Sequence, residues 1–252
     1  MAPHLLFETK FARATPRLAL AALLALAACA RSAPAPVPPA PRPADVDAPD
    51  AGRAAVRYLA LGDSFTIGTG SSPGQAFPAR LAARWSARCA VALRNPAVNG
   101  YTTQDVLDRE LPEVAPFAPT FVTLAAGAND IVRGRSLDDY RAQVRRLFEA
   151  LAAAGVPAAR VVTLPQPDWS LSPAARSFGD PAAIHAQIVA FNGALREEST
   201  RLGARHVDLF PLMEAQARAG LLAPDGLHPD AAAHDAWAAE LAARLRDVCD
   251  VP

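Results

Sequence analysis

The chain has 252 residues, 51% hydrophobic and 20% charged, a balance that builds one substantial soluble domain with a core but not two full ones. Lys+Arg and Asp+Glu both number 25, so the formal net charge is zero, which excludes the basic excess of a nucleic-acid binder. The three cysteines, Cys29, Cys89 and Cys249, lie too far apart for a C-x-x-C zinc or redox motif.

Lys10, Arg13 and Arg17 precede an uninterrupted apolar run, Leu18 to Ala28, that ends at Cys29. A basic stretch, a short apolar stretch and small residues at the cut site are the marks of a secretory signal. The run falls well short of the ~20 residues a helix needs to span a bilayer. The proline-rich sequence behind it offers a core helix nothing to pack against. Leu26-Ala27-Ala28-Cys29 resembles the lipobox of bacterial lipoproteins. That resemblance implies acylation of Cys29 and attachment to a membrane surface by lipid alone. Ala30, not Asp, follows it, which points to the outer membrane of a two-membrane envelope.

Residues 32–52 are rich in Pro and Ala, a composition that gives stiff, extended chain with no core-forming pattern. The expected organisation is a signal peptide over 1–28, a tether over 29–53 and one domain over 54–252. If the domain is exported it folds in an oxidising compartment, where Cys89 and Cys249 could pair. Each lies near the end of an expected helix; two unpaired buried thiols are the alternative.

From residue 56 short apolar runs alternate with amphipathic stretches. Strands are expected at Val56–Leu61, Val91–Arg94, Phe121–Ala125, Arg160–Leu164 and His206–Leu209, rich in β-branched residues and separated by helix-length segments. Ser136-Leu137-Asp138-Asp139 is a capping box for a helix with Tyr140, Val144, Leu147, Phe148 and Leu151 on one face. Gly155 and Pro157 stop it. Asp180-Pro181 supplies an N-cap and an N1 proline for the next helix. The last helix is expected from Pro229 to Val248, with His228 as its N-cap. The fold class is α/β: a three-layer α/β/α sandwich around a sheet of five parallel strands. In such sheets reactive groups gather at the carboxyl ends of the strands.

Two segments there carry chemistry. The first strand runs directly into Gly62-Asp63-Ser64, and a serine at a strand-to-helix turn lies beside backbone N–H groups able to hold an oxyanion. Asp225-Gly226-Leu227-His228-Pro229 offers the second. A serine hydroxyl needs a base to take its proton. A histidine oriented by a carboxylate on its far nitrogen is such a base. Each segment alone is common in structural turns.

Together with two others they resemble the SGNH hydrolases, also called GDSL esterases/lipases, with four blocks in order. Gly62-Asp63-Ser64 fits the first, Asn95 to Thr103 the second, Gly127-Ala128-Asn129-Asp130 the third, and Asp225 with His228 the last. The resemblance covers residues 56 to 247 and implies a flavodoxin-like sandwich. It also implies Ser64 as nucleophile, His228 as base and Asp225 as its orienter. The oxyanion donors would be the amides of Ser64 and Gly100 and the side chain of Asn129. No metal or cofactor is implied. One departure is Asn99-Gly100, where the family commonly has Ser-Gly.

No G-x-S-x-G, H-E-x-x-H, P-loop or G-x-G-x-x-G occurs. Asp130 reads as a turn or supporting residue, and Arg135 as a solvated residue at a helix start. Asp168 and Trp169, after the fourth strand, could line the acyl or alcohol pocket, or Trp169 could simply pack a loop. His4, His185, His206 and His234 lack ligand-like spacing and are expected in surface or core roles. The implied activity is acyl-ester hydrolysis, of short chains, on an acetylated glycan or a lipid ester of the envelope. An acyltransferase using the same triad and a non-catalytic glycan- or lipid-binding module are the alternatives. Oligomeric state is not readable from sequence.

Overall fold

The computed structural model describes residues 56–250. The signal, lipid-anchor and tether expectations on residues 1–53 lie outside the described residues. Strand β1 (Val56–Gly62) is apolar nearly throughout because the sheet is covered on both faces. Its side chains divide by parity: Val56, Tyr58 and Ala60 enter one core, Leu59 and Leu61 the other.

The chain then runs through α1 (Ser64–Ile67), α2 (Phe77–Trp85) and β2 (Val91–Arg94). An irregular helical stretch follows, made of α3 (Thr103–Asp105), a π-helical turn (Val106–Glu110), a 3-10 turn (Leu111–Glu113) and α4 (Val114–Phe117). Next come β3 (Phe121–Ala125), α5 (Ala128–Val132), α6 (Leu137–Ala153) and β4 (Val161–Thr163). Two 3-10 turns, Trp169–Leu171 and Pro173–Ser177, lead to α7 (Pro181–Arg201), β5 (Arg205–His206), α8 (Phe210–Arg218) and α9 (Ala231–Arg244).

The five strands pair in parallel in the order β2-β1-β3-β4-β5, the expected doubly wound sheet. The order reverses between β1 and β3, and ligands bind such sheets at the carboxyl ends beside that switch. One core holds Phe77, Leu81, Trp85, Met213, Trp237 and Leu241 from α2, α8 and α9. There Trp85 and Phe121 meet edge to face with ring centroids 5.1 Å apart, and Tyr58 lies 5.5 Å from each. The other core packs α4, α6 and α7, with Tyr140 stacked on Phe191 at 4.4 Å.

Ser136 caps α6 and Asp180 caps α7, each accepting a first-turn amide, at 3.1 and 3.0 Å. A buried carboxylate clamps α6 to α7. Glu198 accepts from Arg145 at 2.6 Å and from Arg201 at 2.7 Å. The Arg145 hydrogen bond, against burial, does most to hold its pKa down at about 2.

Several boundaries differ from the sequence reading, among them the ends of β4, now Val161–Thr163, and of the last helix, which stops at Arg244; two differences have a side-chain cause. Strand β5 stops at His206. Val207 still donates to Thr163 O at 3.0 Å, but Asp208 turns the chain by accepting the Phe210 amide at 2.9 Å. The last helix starts at Ala231, not Pro229, because Asp230 is its N-cap and accepts from Ala233 N at 2.8 Å. His228 is therefore not a cap; it sits in a short connection where Pro229 bridges to Leu222.

Cys89, beyond α2, and Cys249, beyond α9, are joined by a disulfide with 5.7 Å between Cα atoms and 160 residues of separation. Closing so long a loop removes much chain entropy from the unfolded state. Replacing both cysteines by serine is expected to destabilise the domain by about 2–5 kcal/mol, read as a lower urea midpoint. A second expectation concerns His234, fully buried between Phe77 and Trp237 with neither ring nitrogen hydrogen-bonded among the described residues. Burial lowers its pKa from 6.5 to about 4. The unfolded chain thus takes up this proton first as pH falls below 6.5, so stability is full above that value and declines towards pH 4. Between pH 7.5 and 5 the loss from this residue should be about 2 kcal/mol, and His234→Leu should flatten the slope in urea titrations at the two pH values. An unchanged slope would place the acid sensitivity elsewhere.

Candidate active site

The carboxyl end of β1 fixes the first reactive group. A Cβ on Gly62 would lie 2.4 Å from the carbonyl oxygen of Ala125 on β3, so only glycine lets the two strand ends close together. The chain turns immediately, and Asp63 caps α1 by accepting the Phe65 amide at 3.0 Å. Ser64 opens that helix, so its N–H has no partner within it. Ser64 is buried, at 5% exposure, and borders a cavity of about 150 Å³.

His228 borders the same cavity from the other end of the sequence. Its Nδ1 lies 2.6 Å from Asp225 Oδ2, while Asp225 Oδ1 accepts the amides of Leu227 and His228 at 2.9 and 3.0 Å. Burial works to raise the Asp225 pKa, but the hydrogen bonds from the His228 ring and the two amides outweigh it and hold it below its ordinary value. The ring of Phe65 packs against the His228 imidazole with centroids 5.2 Å apart. With Nδ1 committed to the carboxylate, Nε2 is the ring nitrogen that remains for another partner.

The second and third blocks meet at the same place. Gly100 has φ +85°, a left-handed turn that suits glycine. Its carbonyl accepts from Arg133 at 3.0 Å. Asn129 lines the cavity, and its Nδ2 donates to Tyr101 O at 2.9 Å, so one N–H of the amide is used to orient the other. Asp130, wholly buried, locks the two blocks together. It accepts from the Thr103 amide at 2.8 Å, the Thr103 hydroxyl at 2.7 Å and Arg135 at 2.5 Å. Arg135 is thus a partner of a buried carboxylate and not merely a solvated residue.

Trp169 lines the cavity at 4% exposure, and its ring meets Phe178 edge to face at 5.6 Å. Asp168 does not share that lining. Its carboxylate turns inward to the Ser170 hydroxyl and to His185 Nδ1, the latter at 2.6 Å. Phe178 and Val132 complete the apolar wall, 47% and 48% exposed, and sequence reasoning did not find either. Phe178 ends an irregular turn with no periodicity to mark it, and Val132 looks like an ordinary helical residue.

Among the described residues, one group with metal-ligand potential stands outside the cleft. Asp168, His185 and Glu214 bring ligand atoms within 4.8 Å of one another. The hydrogen bonds to Ser170 and His185 already account for both Asp168 oxygens. Glu214 pairs with Arg218 at 3.5 Å.

The GDSL-like Lipase/Acylhydrolase family matches residues 60–236. A curated relative, "Thioesterase 1/protease 1/lysophospholipase L1" of Escherichia coli K12, is 31% identical over 101 residues, which are 40% of this chain and 48% of that protein. The chain thus spans about half the length of the curated relatives it matches. Among solved structures, the lipase/acylhydrolase from Enterococcus faecalis superposes with a TM-score of 0.61 at 21% identity, covering 76% of this chain and 95% of that one. A variant of an acetyl xylan esterase from Geobacillus stearothermophilus gives 0.60 at 19% identity, covering 77% and 94%. These structures share the fold. With the matched segment running from the end of strand β1 into the first half of α9, the chain belongs to the GDSL-like lipase/acylhydrolase family.

Proposed function

We propose that the domain is a serine carboxylic-ester hydrolase for short acyl groups, working through an acyl-enzyme on Ser64. The reading is carried by one observation: Ser64 and an Asp225-bound His228 line a single cavity with an apolar wall. In the first step Ser64 Oγ bonds to the ester carbonyl carbon while His228 Nε2 takes the hydroxyl proton. The negative charge on the carbonyl oxygen is held by the amides of Ser64 and Gly100 and by Asn129 Nδ2. Collapse breaks the ester C–O bond, and His228 returns its proton to the departing alcohol. Water then repeats the sequence, yielding the acid and free Ser64.

The size and lining of the cavity support a short acyl group. About 150 Å³ bounded by Trp169, Phe178, Val132 and Leu227 suits an apolar group of about six carbons, the scale of benzene in a cavity of that volume. The acetyl group of an acetylated glycan and the short acyl chain of a small lipid ester both fit within that size. Relatives described as an acetyl xylan esterase and as a thioesterase/lysophospholipase span those two substrate classes. Retention at an envelope membrane through an acylated Cys29 belongs to the same reading, supported by the basic, apolar and cysteine pattern of residues 10–29.

On p-nitrophenyl esters from acetate to palmitate, kcat/KM should be highest for the short chains. Ser64→Ala should lower it by about 10³-fold or more. A Ser64→Ala protein that retains hydrolysis would refute the mechanism, and a palmitate optimum would refute the short-chain assignment. Asp225→Asn keeps the shape but loses the acceptor that fixes the His228 tautomer, so kcat should fall by about 10³–10⁴-fold with KM little changed. A loss below tenfold would mean that His228 is oriented by something other than Asp225.

A further inference from the structure

Glu110 closes the π-helical turn Val106–Glu110 and is wholly buried. A π-turn carries one more residue in each hydrogen-bonded loop than an α-turn, and such turns occur mostly as isolated insertions, frequently at functional sites. Here the turn delivers a carboxyl group to the end of β1: Glu110 Oε2 accepts the amide of Gly62 at 2.9 Å.

That amide has no strand to bond to. The backbone of even-numbered β1 residues faces β2, as Val56 shows by donating to Ala90 O at 3.0 Å. The ladder between the two strands stops at the Leu59–Arg94 pair, before Gly62 is reached. Glu110 supplies the acceptor that β2 no longer provides. Gly62 is then gripped from both sides, by Glu110 and by the close approach of Ala125 O on β3. Ser64 follows two residues later.

We propose that Glu110 is a positioning residue for the nucleophile, acting through its hydrogen bond to the Gly62 amide. By fixing where β1 ends, it sets where the hydroxyl and amide of Ser64 stand relative to His228, Gly100 and Asn129. The inference rests on the serine-esterase reading of the same cleft. Burial, more than the neighbouring Asp63 and Asp105, raises the Glu110 pKa well above the ordinary glutamate range. Asp63, also buried, is raised to about 7, again chiefly by burial and with Asp130 contributing. Arg109 and Arg133 face Asp105. The Glu110 Oε1 and Asp63 Oδ2 atoms have no hydrogen-bond partner among the described residues, so Glu110 is held at its working end only.

The test compares Glu110→Gln, Glu110→Ala and Glu110→Asp in the full chain, measuring kcat and KM on p-nitrophenyl acetate, labelling of Ser64 by a fluorophosphonate, and Tm. Glutamine keeps a neutral acceptor at the same reach and should hold kcat within about threefold, whereas alanine should lose about 10–100-fold. The KM of the alanine variant should stay within about twofold and its labelling rate should fall in step with kcat. If alanine does not fold, aspartate, one methylene too short to reach Gly62, should show the same kcat loss. A folded alanine or aspartate variant with wild-type kcat would overturn the proposal, as would a glutamine variant as impaired as alanine, or a loss confined to Tm. A wild-type protein that neither hydrolyses esters nor takes the label would overturn the esterase reading and this inference with it. An active wild type with an indifferent Glu110 would overturn this inference alone.

Discussion

The cleft depends on how two neighbouring parallel strands end. β1 and β3 finish beside each other, with Gly62 in register with Ala125. At that point a side chain on β1 would collide with the backbone of β3. The absence of one lets both chains turn at the same level: β1 into α1 with Ser64 first, β3 into α5 with Asn129 in its first turn. Ser64 and Asn129 therefore share one crevice without any loop having to reach across. Parallel sheets make this arrangement available because all carboxyl ends lie on one side.

Buried polar groups hold that crevice in shape. Asp130 ties the Thr103 turn to the start of α5 and to Arg135, so the Gly100 loop and Asn129 move as one piece. Buried carboxylates are stable only when their lone pairs are taken, and the three donors to Asp130 come from Thr103 and from Arg135, just beyond α5. By contrast the apolar wall of Trp169 and Phe178 is built from irregular turns. One side of the cleft is thus fixed by buried hydrogen bonds, and its apolar wall is built separately.

Much of this was legible in the sequence. The strand positions at 91–94 and 121–125 were readable because both-face burial leaves short β-branched runs with few alternatives. The α6 and α7 caps were readable because Ser and Asp have a specific job at helix starts. The helix after His228 was misplaced because Asp230 and Pro229 compete as start signals, and the side-chain cap of Asp230 prevails. Ser64, Asp225, His228, Gly100 and Asn129 were visible through motif order. Glu110 was not, since a glutamate within LDRELPE reads as the solvated face of a helix until a π-turn directs it inward. Phe178 escaped for the opposite reason: an isolated aromatic outside any periodic segment carries no signal.

The cleft draws Ser64 from the first strand and His228 from the connection before the last long helix, and the α2–α9 face that bears the disulfide joins equally remote segments. Contacts between such distant parts of a chain form late, because the entropy of closing the intervening loop is lost before any packing is gained. A folding intermediate lacking the docked α9 would have the Ser64 turn but not His228 beside it. Formation of the cleft thus marks completion of the native topology rather than collapse or secondary structure.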